Sequence, residues 1–285
     1  MGSDLLGRLR LDSIAMTLGQ LLIKGWTWYP EIILGCMLLA SAYLILAKFE
    51  LNGRTVYFLI GVFVLFLALV SPLDILSDDY LFSAHMLQHL LLVLVVAPLL
   101  LLGIPPDWLK RLLDWKPAVR VESILGHPLL AWIIGVMTIY LWHLPVMYNA
   151  ALQSENIHLL QHLSFLVSAT IFWWPVILPL KEKRRLSSLS SMLYIFAGAV
   201  ANAVLGIILT FAPVGLYPEY LHPHDPLGIL PLIREGWGLD PQTDQQLGGL
   251  LMWIPGGLAY LSAILIVFAH WFSESDEDWI LSNLE

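Results

Sequence analysis

The sequence predicts an all-α membrane protein, a bundle of seven transmembrane helices with the N-terminus outside and the C-terminus cytoplasmic. Three observations carry this. Hydrophobic residues fill 58% of the 285 positions and charged residues only 13%, where a soluble domain carries about 25% charge. The apolar residues gather into seven long runs, each of a length that suits a bilayer span. The basic residues are segregated into alternate connections between those runs.

The runs cover residues 29–47, 56–70, 81–102, 128–148, 157–180, 189–212 and 247–272. The second is the shortest. Pro98, Pro145, Pro175 and Pro255 lie well inside runs and predict kinks around an interior space, because each frees a carbonyl that a neighbour or water must satisfy. Gly198, Asn202 and Gly206 recur every four residues in the sixth run and predict close helix packing through small residues. Residues 213–244 hold six prolines and predict an irregular cap. Three segments follow: residues 1–27 as an interfacial amphipathic stretch, 28–272 as the seven-helix domain, and 273–285 as an acidic cytoplasmic tail. The first 25 residues lack a continuous apolar core, so no cleavable signal peptide is expected.

Orientation follows from charge. Lys48, Arg54, Lys110, Arg111, Lys116, Arg120, Lys181, Lys183, Arg184 and Arg185 fall in odd-numbered connections. The even-numbered ones carry Asp74, Asp78, Asp79, Glu155, Glu219, Asp225, Glu235, Asp240 and Asp244 against a single Arg234. Positive loops face the cytoplasm. Arg8, Arg10 and Lys24 oppose this weakly if their segment lies on the membrane surface. The net charge of −8 argues against a nucleic-acid partner. Cys36 is the only cysteine, which excludes an internal disulfide and a cysteine metal cluster and reads as a packing residue in the first span.

The signature H-x-L-Q-H occurs twice, at His85–His89 and His158–His162, each time at the start of an apolar run. Positions i and i+4 share one helix face. With His143 at the end of the fourth run, five of the nine histidines reach the outer part of the membrane on three helices. His222 and His224 lie in the outer connection, and His127 and His270 at the inner ends. Polar groups in a bilayer are costly and mark function, so this grouping predicts a metal or cofactor site. Neutral imidazole suits copper, zinc, iron and nickel, and methionine favours copper(I). Met86, Met147 and Met252 lie near the same level, although Met86 points about 100° from His85 and equally suits packing. Gln88 and Gln161 are candidates for orienting ring nitrogens. Asp74 and Asp78 are candidates for gathering cations, or form a solvated turn.

The runs SPLDILS, LFSAHMLQHLLL and APLLLLG, the segment WHLPVMY, the pair HLLQH and the stretch DQQLGGLLMWIPGG at residues 244–257 resemble the CtaG family. These are seven-helix bacterial assembly factors for cytochrome c oxidase, distinct from the single-span copper chaperone that shares the name. The resemblance covers roughly residues 28–272. It implies a non-catalytic role in maturing a haem–copper oxidase in the bacterial cytoplasmic membrane, with copper supplied from the outer side. The implied partners are oxidase subunits, a periplasmic or extracellular copper donor, and the lipid bilayer. By position, His85 and His89 match the family's first histidine motif, His143 its WHxP motif, His158 and His162 its later pair, and Met252 and Trp253 its last motif. Two other readings stay open: a seven-helix zinc hydrolase, which needs a carboxylate base inside the site, and a bis-histidine haem cytochrome.

Overall fold

A computed structural model describes residues 18–177 and 186–282, with side chains to residue 273. Among the described residues the chain is helical, with no strand. We label α1 (Pro30–Leu46), α2 (Gly53–Val70), α3 (Phe82–Gly103), α4 (Pro106–Leu113), α5 (Lys116–Leu125), α6 (Pro128–Trp142), α7 (Pro145–Leu152), α8 (Glu155–Ile177), α9 (Ser188–Phe211) and α10 (Pro241–Ser282). Five helices, α2, α3, α8, α9 and α10, are long and apolar enough to cross a membrane. A sixth span arises if α5 and α6 are counted together, but they meet at 68°. The first run, α1, is apolar but only 17 residues long. Outward faces carry exposed Leu38, Phe63, Leu160, Phe196 and Ile266, a surface suited to lipid.

Within the described residues all seven predicted runs are mainly helical, with one correction; residues 178–180 of the fifth run lie outside them. The fourth run was expected to continue to Tyr148, but α6 stops at Trp142 and a separate α7 begins at Pro145. The residue before a proline avoids the α region, and Leu144 is extended at φ −63°, ψ 132°. The seventh run extends further than expected, because α10 stays helical to Ser282. Most of the predicted interfacial segment (residues 1–17), the basic residues Lys181, Lys183, Arg184 and Arg185, and the side chains of the acidic tail lie outside the described residues.

Pro98 leaves a carbonyl for a neighbour to satisfy, as expected, whereas Pro145 separates two helices. In α3 the backbone widens to i→i+5 spacing over Leu92–Val96, just before Pro98. In that register Val93 O would receive the N–H of residue 98, which proline lacks. It receives the indole N–H of Trp173 from α8 instead, at 2.9 Å. The small residues of α9 also pack as read. A Cβ on Gly206 would sit 2.8 Å from Gly249 O and 2.9 Å from Trp253 N, so α9 and α10 approach backbone to backbone. Asn202 adds a hydrogen bond from Nδ2 to Met252 O at 2.7 Å, in the turn that Pro255 opens.

The connection from α9 to α10 is irregular apart from short turns at Pro218–Leu221 and Leu232–Gly236. It is not a loose cap. Tyr217, Tyr220, Ile229, Leu232 and Ile233 are buried. Asp225 organises it, accepting from Tyr80 Oη at 2.8 Å and from the Ile229 and Leu230 amides.

The start of α3 has no capping side chain of its own, because Leu81 precedes it. Asp244, in the first turn of α10, supplies the cap across 161 residues. Its carboxylate accepts from Phe82 N at 2.8 Å, Ser83 N at 3.0 Å and Ser83 Oγ at 2.5 Å, and it is 1% exposed. Asp244→Ala strands these buried donors, at a cost of about 1–3 kcal/mol each before relaxation. We expect a clear fall in thermal unfolding temperature in detergent, with a smaller fall for Asp244→Asn. An unchanged melting profile for Asp244→Ala would remove this carboxylate from the fold's supports.

Candidate metal centre

The two histidine pairs start adjacent helices, and the two rings of each pair lie close on one face. Ring centroids lie 4.2 Å apart for His85–His89 on α3 and 4.2 Å apart for His158–His162 on α8. The helices bring the pairs together, with His85 5.3 Å from His158 and 6.2 Å from His162, and His89 5.5 Å from His162. His143, at the end of α6, joins from the third side, 6.1 Å from His89. All five sequence-predicted histidines therefore meet at one end of the bundle. One nitrogen from each of His85, His158 and His162 lies within 4.8 Å of the others.

The hydrogen bonds determine which nitrogens are available. His143 Nδ1 lies 2.7 Å from Ile139 O, and a carbonyl only accepts, so Nδ1 holds the proton and Nε2 a lone pair. His85 Nδ1 faces Ser77 O at 3.3 Å and Tyr220 Oη at 3.1 Å, while Tyr220 donates its own proton to Ser77 O at 2.8 Å. His85 is then protonated at Nδ1 and bare at Nε2. His158 Nδ1 lies 3.5 Å from Asp78 Oδ2, the carboxylate–histidine arrangement that fixes a ligating imidazole. Nε2 of His85, His158 and His162, and both nitrogens of His89, are buried with no hydrogen-bond partner. Unpaired buried nitrogens are rare and costly. Their convergence, with no carboxylate among them, fits a borderline or soft transition ion and not magnesium or calcium.

Met86 was read as pointing away from His85, and it does so. That direction leads to α6, where Met86 Sδ lies 3.2 Å from His143 Nε2. Met252 is buried beside them and lines the same small cavity as Met86, His89 and His143. Met147 is 39% exposed and does not take part.

Two accessory expectations are corrected. Gln88 does not orient a ring nitrogen: its Nε2 donates to Ala68 O and Asp74 Oδ1, both at 2.8 Å, and its Oε1 accepts from Ser77 Oγ at 3.0 Å. Asp74 is neither solvated nor free to gather cations. It is 3% exposed and accepts from Thr27 Oγ1 at 2.7 Å as well as from Gln88. Burial, then the Asp78 carboxylate, raises Asp74 above the usual carboxylate range despite those donors. Burial raises Asp78 in the same direction. Asp78 keeps its place at the rim, 30% exposed. Gln161 is fully buried beside the rings with its amide unpaired.

Sequence reasoning missed the tyrosines. Tyr217 Oη donates to His143 O at 2.8 Å, and Tyr148 Oη lies 3.2 Å from Tyr220 Oη, which holds His85. The available signal was the run of tyrosines among the prolines at 217 and 220.

No solved structure matches the chain. Curated relatives include an uncharacterized protein of Mycobacterium leprae, 25% identical over 205 residues, and uncharacterized proteins of Mycobacterium bovis and Mycobacterium tuberculosis, each 24% identical over 205 residues. Each alignment covers 67% of this chain and 30% of the relative, so the chain spans under a third of the length of these proteins. The family profile described as cytochrome c oxidase caa3 assembly factor matches residues 33–274, taking in every histidine of the cluster. The chain belongs to the cytochrome c oxidase caa3 assembly factor family.

Proposed function

We propose that the chain binds copper through His85, His89, His143, His158 and His162 and delivers it to a haem–copper oxidase during assembly. The observation that supports this best is the set of convergent, unpaired imidazole nitrogens in a buried site. Three of the rings are held at Nδ1 by Ser77 and Tyr220, by Ile139 and by Asp78, which turns lone pairs inward. The copper is cargo, and the role is non-catalytic. The chain works as a seven-span protein of the bacterial cytoplasmic membrane, with the histidine end outside and the basic connections inside. It takes copper from a periplasmic or extracellular donor and passes it to oxidase subunits.

The zinc hydrolase reading finds less support. The nearby carboxylates are occupied: Asp78 faces His158, Asp74 is held by Thr27 and Gln88, and Asp244 caps α3. A haem finds no slot, because Tyr148 and Phe165 pack against the rings at 5.1 and 4.4 Å.

Loss of a ligand should cost more than the 10–100-fold typical of a residue behind one. We expect His85→Ala, His89→Ala, His158→Ala and His162→Ala each to abolish tight copper binding, measured by competition with a chromogenic chelator on purified protein, while still inserting and folding. Gln161→Ala should weaken binding only modestly. Copper content unchanged in all four histidine variants, with caa3 oxidase maturation intact, would reduce the cluster to packing.

Orientation is tested separately. Reporter fusions at Lys116 should read cytoplasmic, and fusions at Glu155 and Asp225 external. An external signal at Lys116 would turn the histidine end towards the wrong compartment.

A further inference from the structure

The five imidazoles are not equivalent, and the differences divide the cluster. His85, His158 and His162 form an all-nitrogen group with ligand atoms within 4.8 Å of one another. It opens at the rim, where His158 is 15% and Asp78 30% exposed. His143 is also buried and faces a thioether: its Nε2 lies 3.2 Å from Met86 Sδ. Neither atom of that contact has a proton to share, because the His143 proton is held at Nδ1 by Ile139 O and a thioether only accepts. Two lone pairs facing at this distance gain nothing from each other. A cation between them resolves the contact, since ligand distances of about 2.0 Å to nitrogen and 2.3 Å to sulfur let one ion touch both.

His89 lies between the two groups, 5.5 Å from His162 and 6.1 Å from His143. Of the five rings it is the one with both nitrogens buried and unpaired. No hydrogen bond selects its tautomer or orientation, so either nitrogen serves as a ligand after a ring flip. Met86, His89, His143 and Met252 line one interior cavity, which gives an ion received from His89 a place to go.

Resting on the copper reading above, we propose that the cluster is two compartments in series. The outer one is the nitrogen group His85, His158 and His162, the inner one is the soft pair His143 and Met86, and His89 passes monovalent copper from the first to the second. Thioether sulfur selects copper(I). The inner compartment holds no carboxylate to offset a divalent ion, and burial cost rises steeply with charge. The transfer is ligand exchange alone. Copper gains His89 as its bonds to His85, His158 and His162 break, then forms bonds to His143 Nε2 and Met86 Sδ with His89 still bound, and no electron or proton leaves the site.

The test is X-ray absorption on purified full-length protein loaded anaerobically with copper(I). The wild type should show one sulfur scatterer at about 2.3 Å with nitrogen completing the shell. Met86→Leu, of similar volume, should lose the sulfur scatterer and bind copper(I) at least tenfold more weakly, while cobalt(II) still enters the outer group with an unchanged visible spectrum. His89→Phe should lose tight copper(I) binding, and the weakly held copper that remains at high loading should show an all-nitrogen shell. His158→Ala should lose the cobalt(II) spectrum together with tight copper binding. Copper bound with no sulfur in the wild type, or sulfur undiminished in Met86→Leu, overturns the inner compartment and leaves the copper reading standing. Neither copper nor cobalt retained by the wild type overturns the copper reading itself.

Discussion

The Asp244 carboxylate at the start of α3 is the constraint on which the rest depends. The first four amides of a helix have no partner inside it, and at this depth little water is available to supply one. Leu81 cannot cap the helix, so the cap arrives from α10 and ties the two together. His85 lies two residues beyond the capped Ser83, so the tie sets the height at which the first imidazole stands. The same end of α10 is itself started by Asp240, whose Oδ1 accepts from the Gln242 and Thr243 amides at 2.9 and 2.8 Å. One connection therefore begins α10, places Asp244 under α3, and sends Tyr217 and Tyr220 back to hold His143 and His85.

Around that tie, polar groups are satisfied by neighbours of matching reach. Val93 O takes the Trp173 indole, Met252 O takes Asn202, and the Ala201 carbonyl takes Tyr140 Oη at 2.7 Å. Gln88 closes the acidic turn onto α2 and α3 at once. Against this thorough pairing, the bare nitrogens of the histidines stand out. A fold that spends a buried glutamine to satisfy one carboxylate has left a group of imidazole nitrogens unmet in the same few ångströms.

Much of this was legible in sequence because it depends on local spacing. The i,i+4 pairs and the glycine stripe of α9 each fix a face from neighbouring residues alone and appear as read, while Pro145 separates two helices where a kink was expected. What failed was long-range. Gln88 sits one residue before His89, so its proximity to the ring was plain, but its partners Ala68 and Asp74 come from a different turn of chain. Asp244 looked like one acid among several in an outer loop, and nothing local marks it as the cap of a helix 161 residues earlier. Met86 was read correctly for direction and left without a destination, because the position of α6 is a tertiary fact.

The shape of the site bears on whether it holds an ion or moves one. A structural metal site closes its shell with ligands already pinned by their neighbours, and exchange is then slow because every displaced ligand must be compensated. Here the pinning is graded. His143 is fixed by a carbonyl at 2.7 Å, His85 by two longer contacts, His158 by a carboxylate at 3.5 Å, and His89 by none. Rigidity thus sits at His143, the ring that faces the thioether, and freedom at His89, the one between the groups. The ligands are also spread over three helices, and their atoms are not gathered to a single point. For the copper carrier proposed above, such an arrangement suits an ion that must be stripped from water and then released.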